Sequence, residues 1–394
     1  MPISNRVREF MSQASWIRRM FEEGERLRQV HGPDAVVDLS LGNPEVDPPP
    51  DFAAALARAA AEVAPGRHRY MANAGYLETR RAVAAKIGEE SGLAVRGEDI
   101  VMSCGAAGGL NVLFRSILDP GDEVIILAPY FPEYLFYIDN HGGVPRSVRT
   151  RPDFAPDPDA IAAAIGPRTK ALILNSPNNP TGRAYDEASV SAVASLLAAR
   201  APRAYLISDE PYRRLVYGGR PAPWILGRHP RAVVVGSHSK DLAVPGERIG
   251  YIAPTPEMPE DERRELVSAL TFVTRTLGFV NAPALMQRVV RTLQGVTVAP
   301  GIYEERARLL CDALERAGYE LVRPEGAFYA FPRTPEPDDV AFVRRLQKRL
   351  VLTVPGSGFG APGYFRISYC VAKERIERAL PAFAEAAEEA RSGR

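Results

Sequence analysis

Short apolar runs alternate with longer helical stretches along the middle of the chain. Two early helical stretches lie at 79–91 and 108–118. The runs with the length of β-strands are 100–103, 123–127, 171–174, 204–208, 232–235 and 249–252. Strands that are apolar throughout and separated by helices indicate α/β architecture, with a mostly parallel sheet sandwiched by helices. A ligand site is expected beyond the carboxyl ends of such strands.

The pattern changes after about residue 285. Long charged helices are predicted at 302–317, 339–349 and 373–390, with short strands between them. At the other end, apolar residues recur at helical spacing within 5–30, at Trp16, Ile17, Met20, Phe21 and Leu27. We therefore expect an N-terminal arm (1–45) that packs on the small domain or a partner subunit, a large domain (46–285) and a smaller α+β domain (286–394).

Composition excludes several classes of protein. The 49 Lys and Arg residues nearly balance the 48 Asp and Glu residues, so no overall field favours nucleic acid or an anionic membrane. The three cysteines are widely spaced and form no CxxC pair, which fits a reducing compartment and no zinc site. Neither a secretory signal nor a membrane-spanning segment is evident. We expect a cytoplasmic protein without a metal.

Candidate chemistry begins where the run 232–235 ends. Ser237 and Ser239 precede Lys240, and Arg248 follows eight residues later. A lysine amine condenses with an aldehyde to form an imine, while hydroxyls and a guanidinium bind an anion beside it. Pyridoxal 5'-phosphate (PLP) is an aldehyde that carries a phosphate, so this segment predicts a PLP site.

The ends of other predicted strands carry complementary groups. Small residues at 105–109 precede a helix and allow close approach to a phosphate. Phe131 can lie against a planar ring, and the asparagine amides of the turn 175–182 can donate to an anionic ring oxygen. Asp209 can keep a pyridine nitrogen protonated, and Tyr212 can donate to the phenolic oxygen. An arginine within an apolar strand, Arg366, suits a substrate carboxylate.

Together these motifs resemble the class I/II aminotransferases, which are fold-type I PLP enzymes of the aspartate aminotransferase-like superfamily. The resemblance runs from Gly42 to Arg366 and keeps the order of the family's motifs. It implies that Lys240 is the Schiff-base lysine and proton shuttle, that Asp209 is the partner of the pyridine nitrogen, and that Phe131 is the stacking ring.

The resemblance also implies roles for the remaining candidates. Asn179 and Tyr212 would bind the phenolic oxygen of PLP, and Tyr70 would reach the phosphate of the neighbouring subunit in a homodimer with shared active sites. An amino acid and a 2-oxo acid are the implied substrates. The implied phosphate site comprises Gly105, Ala106, Ala107, Ser237, Ser239 and Arg248, and the implied α-carboxylate site comprises Gly42, Asn179 and Arg366.

Two departures from the family's pattern concern the substrate. Some aspartate aminotransferases of the family have a lysine where Ala107 stands, and others have an arginine at the place of Thr276, with Arg275 adjacent here. Both groups bind a side-chain carboxylate in those relatives. Burial of a carboxylate without a partner costs more free energy than burial of an apolar side chain provides. We therefore expect a neutral amino donor, with aspartate as the main alternative.

Other reactions are open on the same scaffold. A C–S lyase or a cyclopropane-carboxylate synthase-like lyase would use the same cofactor, and transamination is favoured because Arg366 and Lys240 suit proton transfer at Cα. A regulator that binds PLP without turnover is a further alternative. Such regulators carry a DNA-binding domain, whereas here only a short arm precedes the predicted large domain.

Overall fold

The computed structural model describes residues 2–12 and 16–392. Its largest sheet has seven strands in the order β2-β8-β7-β6-β5-β3-β4. All neighbouring pairs are parallel except those of β8, which is antiparallel to both β2 and β7. The strands of this sheet are Val101–Ser103 (β2), Glu123–Ala128 (β3), Val144–Arg149 (β4), Thr169–Asn175 (β5), Tyr205–Glu210 (β6), Ala232–Ser237 (β7) and Gly250–Pro254 (β8).

Apolar residues on both faces of the sheet explain the layer of helices on each side. Along β5, Leu172 and Leu174 join the hydrophobic core on one face, and Ala171 and Ile173 join the core on the other. Successive side chains of a strand point in opposite directions, so a continuously apolar strand must be covered twice. The mostly parallel, helix-covered sheet expected from the apolar runs is therefore present.

Helices account for a large part of the remaining chain. Within the described residues they are Asn5–Ser12 (α1), Trp16–His31 (α2), Pro50–Ala61 (α3), Leu77–Ser91 (α4), Gly105–Ile117 (α5), Glu133–Asp139 (α6), Pro158–Ala164 (α7), Glu187–Arg200 (α8), Glu260–Thr276 (α9), Ala284–Arg291 (α10), Pro300–Arg316 (α11), Asp339–Lys348 (α12) and Lys373–Arg391 (α13). No helix in this part of the chain is long and apolar enough to span a membrane.

Two elements of the large sheet differ from their expected bounds. Helix α5 was expected from residue 108 but begins at Gly105, because its glycines pack against the sheet. A Cβ on Gly109 would lie 2.8 Å from Cγ1 of Val235. Strand β4 was not predicted, since its edge position leaves most of its side chains exposed or half-buried and it lacks a continuous apolar run.

Smaller sheets follow in the C-terminal part. Tyr329–Ala330 (β9), Val354–Pro355 (β11) and Phe365–Ser368 (β12) form an antiparallel sheet with β12 in the centre. The strand Val37–Asp38 (β1) pairs in parallel with Val351–Leu352 (β10). Aromatic side chains such as Phe328, Phe342 and Phe383 form the core around these sheets. The predicted α+β character of this part is present.

The arm expected at 5–30 forms α1 and α2. Met20 is buried in the aromatic core, and the half-buried Trp16 packs against it. Leu27 packs in a separate cluster with Val36 and Leu352. The side chains of Ile17 and Phe21 lie outside the described part of the chain. The arm therefore contacts the C-terminal domain of its own chain.

Candidate active site

A cavity opens beyond the carboxyl ends of β5, β6 and β7. Segments that are distant in sequence meet there, because parallel strands end at the same edge of the sheet. The predicted residues that line this cavity are Gly42, Ala106, Ala107, Phe131, Asn179, Asp209, Tyr212, Ser237, Ser239, Lys240, Arg248 and Arg366. Gly105 lies directly behind one of them: a Cβ on this glycine would be 2.7 Å from Nη2 of Arg248.

Lys240 follows β7 and reaches across the cavity. Its Nζ donates a hydrogen bond of 2.8 Å to the carbonyl oxygen of Gly42. Burial lowers the pKa of Lys240 to about 8, and the nearby cations Arg248 and Arg366 also lower it. A larger fraction of the amine is consequently neutral, and nucleophilic, than for a solvated lysine.

Hydroxyl and guanidinium groups cluster at one end of the cavity. The Ser237 hydroxyl donates to the Ser239 hydroxyl at 2.9 Å. Arg248 has a left-handed backbone (φ 52°), and its Nη1 donates to the carbonyl oxygen of Pro245 at 2.8 Å. Gly105 has a left-handed backbone (φ 70°), and a side chain there would also meet this guanidinium, so glycine suits the position. Together these donors form a candidate anion site next to the first turn of α5.

Asp209 lies near the end of β6 and is buried. Its Oδ2 accepts a hydrogen bond of 2.5 Å from the Tyr134 hydroxyl, and Asn175 Nδ2 donates to its backbone carbonyl at 2.9 Å. Its Oδ1 is buried without a hydrogen-bond partner among the described residues. Burial raises the pKa of Asp209 to about 7, opposed by the Tyr134 hydrogen bond and reinforced by the negative charge of Glu210. A cation placed against Oδ1 would favour the ionised carboxylate.

Arg366 is almost completely buried on β12. Its Nη1 donates to Asn179 Oδ1 at 2.9 Å, and its Nη2 donates to the carbonyl oxygen of Ser40. The guanidinium also lies 4.7 Å from the ring centre of Tyr329 and 4.8 Å from that of Phe359. Its Nε has no hydrogen-bond partner within the described chain. These contacts fix the plane of the guanidinium, which forms no ion pair with a carboxylate among residues 2–12 and 16–392.

Two tyrosines, Tyr212 and Tyr329, line the same cavity as Arg366 and Lys240. The hydroxyls of Tyr212 and Tyr329 lie 2.9 Å apart. Burial is the main cause that holds the pKa of Tyr212 well above its ordinary value, so its hydroxyl stays protonated and can donate. A Cβ on Gly42 would lie 1.9 Å from the Tyr329 hydroxyl oxygen. Glycine therefore allows this wall of the cavity to close against the tyrosine.

The segment around Phe131 contributes more than the sequence indicated. Phe131 is half-buried, lines the cavity and meets the ring of Tyr134 edge-on with centroids 5.5 Å apart. Glu133 and Tyr137 also line the cavity from α6 but were not predicted, and neither was the tie from Tyr134 to Asp209. The four-residue spacing of Glu133 and Tyr137 on one helix was the available signal.

Tyr70 and Arg275 do not line this cavity. Tyr70 is 88% exposed, and Arg275 is also exposed. Apolar side chains that lie close to Arg275 in the sequence are exposed as well, and Phe272 is 66% exposed. Within a single chain, neither residue is in a position to contact a ligand in the cavity.

Comparison with known proteins identifies similar sequences along nearly the whole chain. The model of the family described as "Aminotransferase class I and II" matches residues 34–383. A probable aspartate/prephenate aminotransferase of Thermus aquaticus is 39% identical over 357 residues, which cover 89% of this chain and 91% of that protein. The aspartate/prephenate aminotransferase of Thermus thermophilus is 37% identical, with coverages of 89% and 90%.

Solved structures extend the likeness to three dimensions. An amino transferase from Eubacterium rectale superposes with a TM-score of 0.93 at 35% identity and covers 99% of each chain. The aspartate aminotransferase of Thermus thermophilus with maleate has a TM-score of 0.86 at 33% identity, with 98% of this chain and 100% of that one covered. These neighbours confirm the predicted fold class.

Proposed function

The chain belongs to the class I and II aminotransferases, and we propose that its cavity binds PLP and exchanges an amino group between an amino acid and a 2-oxo acid. It is a transaminase by family, so the proposal concerns its cofactor, residues and substrates. The observation that carries the proposal is the buried Asp209, whose Oδ1 has no partner in the described chain, in the same cavity as the amine of Lys240.

The residues at the ring end of the cavity fit a pyridine ring. The free Oδ1 of Asp209 would accept a hydrogen bond from a protonated pyridine nitrogen, and Phe131 would cover one face of the ring. Asn179 uses its Oδ1 to hold Arg366, which leaves its amide nitrogen to donate to the phenolic oxygen. Tyr212 would be the second donor to that oxygen.

The anion site fits the phosphate. The hydroxyls of Ser237 and Ser239, the guanidinium of Arg248 and the backbone at the start of α5 would bind its oxygens. Gly105 leaves room for this arrangement, since a larger residue would displace the guanidinium. The proposed phosphate and ring sites together use most of the predicted residues that line the cavity.

When bound, PLP supplies an electron sink for the negative charge that develops at Cα of the substrate. Arg366 orients the amino acid by pairing with its α-carboxylate, supported by Asn179 and the Ser40 carbonyl. Lys240 Nζ would accept the Cα proton and return it to the carbon on the cofactor side of the imine, a 1,3-proton transfer for which its pKa of about 8 is suitable. Asp209 stays ionised against the ring nitrogen and holds the proton there.

The spectrum of the purified protein tests this proposal. We expect a visible absorbance band that amino acids shift and that borohydride reduction abolishes, and we expect Lys240→Ala to lack the covalent band and to lose transamination by about 100- to 10,000-fold. An unchanged spectrum in Lys240→Ala would contradict the proposal. Release of ammonia and pyruvate without a 2-oxo acid would instead favour a lyase.

The proposed assembly is a homodimer with shared active sites. The exposure of the large side chains of Tyr70, Phe272 and Phe279 supports it, because exposed apolar surface is typical of a contact with another chain. Tyr70 would then reach the partner's phosphate, and Tyr70→Phe should weaken PLP binding by roughly 10- to 100-fold, the value of one charge-assisted hydrogen bond. A monomer with full activity in light scattering and turnover assays would contradict the dimer.

The proposed domain division is supported by separate hydrophobic cores on the sheet and in the C-terminal part. Helix α10 packs against α3 and α4, and Leu293 joins the core of the sheet. The boundary between the large domain (46–285) and the small domain (286–394) is therefore better placed just after Leu293.

The free thiols of the three cysteines support the proposal of a reducing, cytoplasmic compartment.

A further inference from the structure

Glu133 is a charged residue of the cavity that the proposed function does not use. The other charged residues that line the cavity each have a counterpart in the proposed complex: Arg248 binds the phosphate, Asp209 the ring nitrogen, Arg366 the substrate α-carboxylate, and Lys240 acts at Cα. Glu133 has no such counterpart, although it lines the same cavity.

The surroundings of Glu133 leave its carboxylate only partly satisfied. It is the first residue of α6 and is half-buried. Its own backbone N–H supports the carboxylate, but Oε2 is buried and has no hydrogen-bond partner among the described residues. Tyr137 and Tyr329 lie close enough for their pKa values to respond to the Glu133 charge.

Electrostatics make this arrangement unfavourable without a ligand. Burial raises the pKa of Glu133, while the positive charge of Arg366 lowers it. Binding of a substrate α-carboxylate would neutralise Arg366 and remove that support. A buried carboxylate without a counter-charge is costly, and a cation brought to it relieves that cost.

We propose that Glu133 selects amino donors whose side chain ends in a cationic group, such as an ammonium or a guanidinium. The inference rests on the proposed function, since it places the α-carboxylate on Arg366. It also predicts discrimination against aspartate and glutamate, because two carboxylates that share a partly buried site repel each other. The proposal differs from the neutral donor expected from the sequence, because Glu133 was not recognised there as a residue of the cavity. Glu133 would thus determine specificity without taking part in proton transfer.

Matched donor pairs test the proposal. The PLP-loaded enzyme is mixed with lysine or norleucine, arginine or citrulline, and glutamate or glutamine, and the first half-reaction is followed by absorbance. We expect the wild-type protein to convert lysine and arginine with a kcat/KM about 10- to 100-fold above their neutral counterparts, as expected for one charge-assisted pair. We expect glutamate to be slower than glutamine.

The isosteric variant Glu133→Gln shows whether this carboxylate is responsible. It should lower the preference for lysine over norleucine by roughly the same factor, mainly through a higher KM for lysine. Glu257→Gln is the control, since it removes an exposed carboxylate outside the cavity. The thermal unfolding midpoint and the PLP absorbance band show whether each variant is folded.

The outcomes separate this inference from the proposed function. An equal preference in wild type and Glu133→Gln overturns the role of Glu133, as does a wild-type protein that converts glutamate faster than glutamine. Even if the variant does not fold, the rates of the wild-type protein with glutamate and with glutamine decide whether carboxylate side chains are disfavoured. If no amino acid changes the spectrum of the wild-type protein, the proposed function fails, and the inference fails with it.

Discussion

The two ends of the cavity are built in different ways. The end proposed for the cofactor comes largely from a continuous part of the chain, between Asn175 at the end of β5 and Arg248 after β7. The end proposed for the substrate collects Gly42, Glu133 and Arg366 from widely separated segments. The topology of the sheet determines which residues meet at the cofactor end. The residues that meet at the substrate end depend on how distant segments of the chain pack together.

Long-range hydrogen bonds hold the substrate end. Arg366 bonds to Asn179 and to the Ser40 carbonyl, 187 and 326 residues away in sequence. Lys240 bonds to Gly42 across 198 residues. By contrast, the Ser237 and Ser239 hydroxyls bond two residues apart. The comparison suggests that the cofactor end supplies the shared chemistry and that the substrate end can vary to change specificity.

Among the tests of this comparison, replacement of Asp209 has the largest expected effect, and it tests the cofactor end. Asp209→Asn keeps the shape of the side chain but removes the charge that, in the proposed complex, would hold a proton on the ring nitrogen. We expect kcat to fall by about 100- to 1,000-fold, the usual cost of losing one preorganised electrostatic group. The loss should be equal for all amino donors, which single-turnover kinetics with several donors would measure.

The comparison fails if this loss depends on the donor. A variant that lost activity toward one class of side chain only would place Asp209 at the substrate end. Tyr134→Phe is the matched control, because it removes the hydrogen bond to Asp209 Oδ2 but leaves the carboxylate. We expect it to cost much less, on the order of 1 kcal/mol.

The sequence predicted several of the residues that line the end of the cavity proposed for the cofactor. Lysine, serines, aspartate and asparagine each follow an apolar run, and the ends of neighbouring parallel strands must meet. The local pattern therefore determined the spatial arrangement of Asp209, Ser237 and Lys240. The tie from Tyr134 to Asp209 was not predictable, because nothing in the segment that contains Tyr134 indicates the distance to another strand.

The substrate end could be predicted only in part. Arg366 was predicted because it is an arginine within an apolar strand. Glu133 was not predicted, because in the sequence it resembles any polar residue at the start of a helix. Only the packing of α6 against the sheet brings it into the cavity. Strand β4 was missed for a related reason, since an exposed edge strand lacks the apolar run that marks a buried one.

Arg366→Lys tests the substrate end and is expected to have the second largest effect. Lysine keeps the positive charge but cannot form the paired hydrogen bonds of a guanidinium with a carboxylate. We expect KM for every amino donor to rise by roughly 10- to 100-fold, with the affinity for PLP unchanged. Steady-state kinetics and a PLP titration measure the two effects separately. A variant with weakened PLP binding would show that the two ends are not independent.

The smallest expected effect is the dependence of PLP binding on pH. This prediction concerns Lys240, which lies between the two ends of the cavity. Burial lowers its pKa to about 8, and only the neutral amine attacks an aldehyde. The rate of covalent PLP binding by the cofactor-free protein should therefore rise about tenfold between about pH 7 and pH 9 and then level off. Ionisation of Asp209, whose pKa is about 7, should add a second rise in this rate at lower pH. The variant Asp209→Asn should lack that second rise. Stopped-flow absorbance measures the rate, and a rate that keeps rising toward pH 10 would show that Lys240 has the pKa of a solvated lysine.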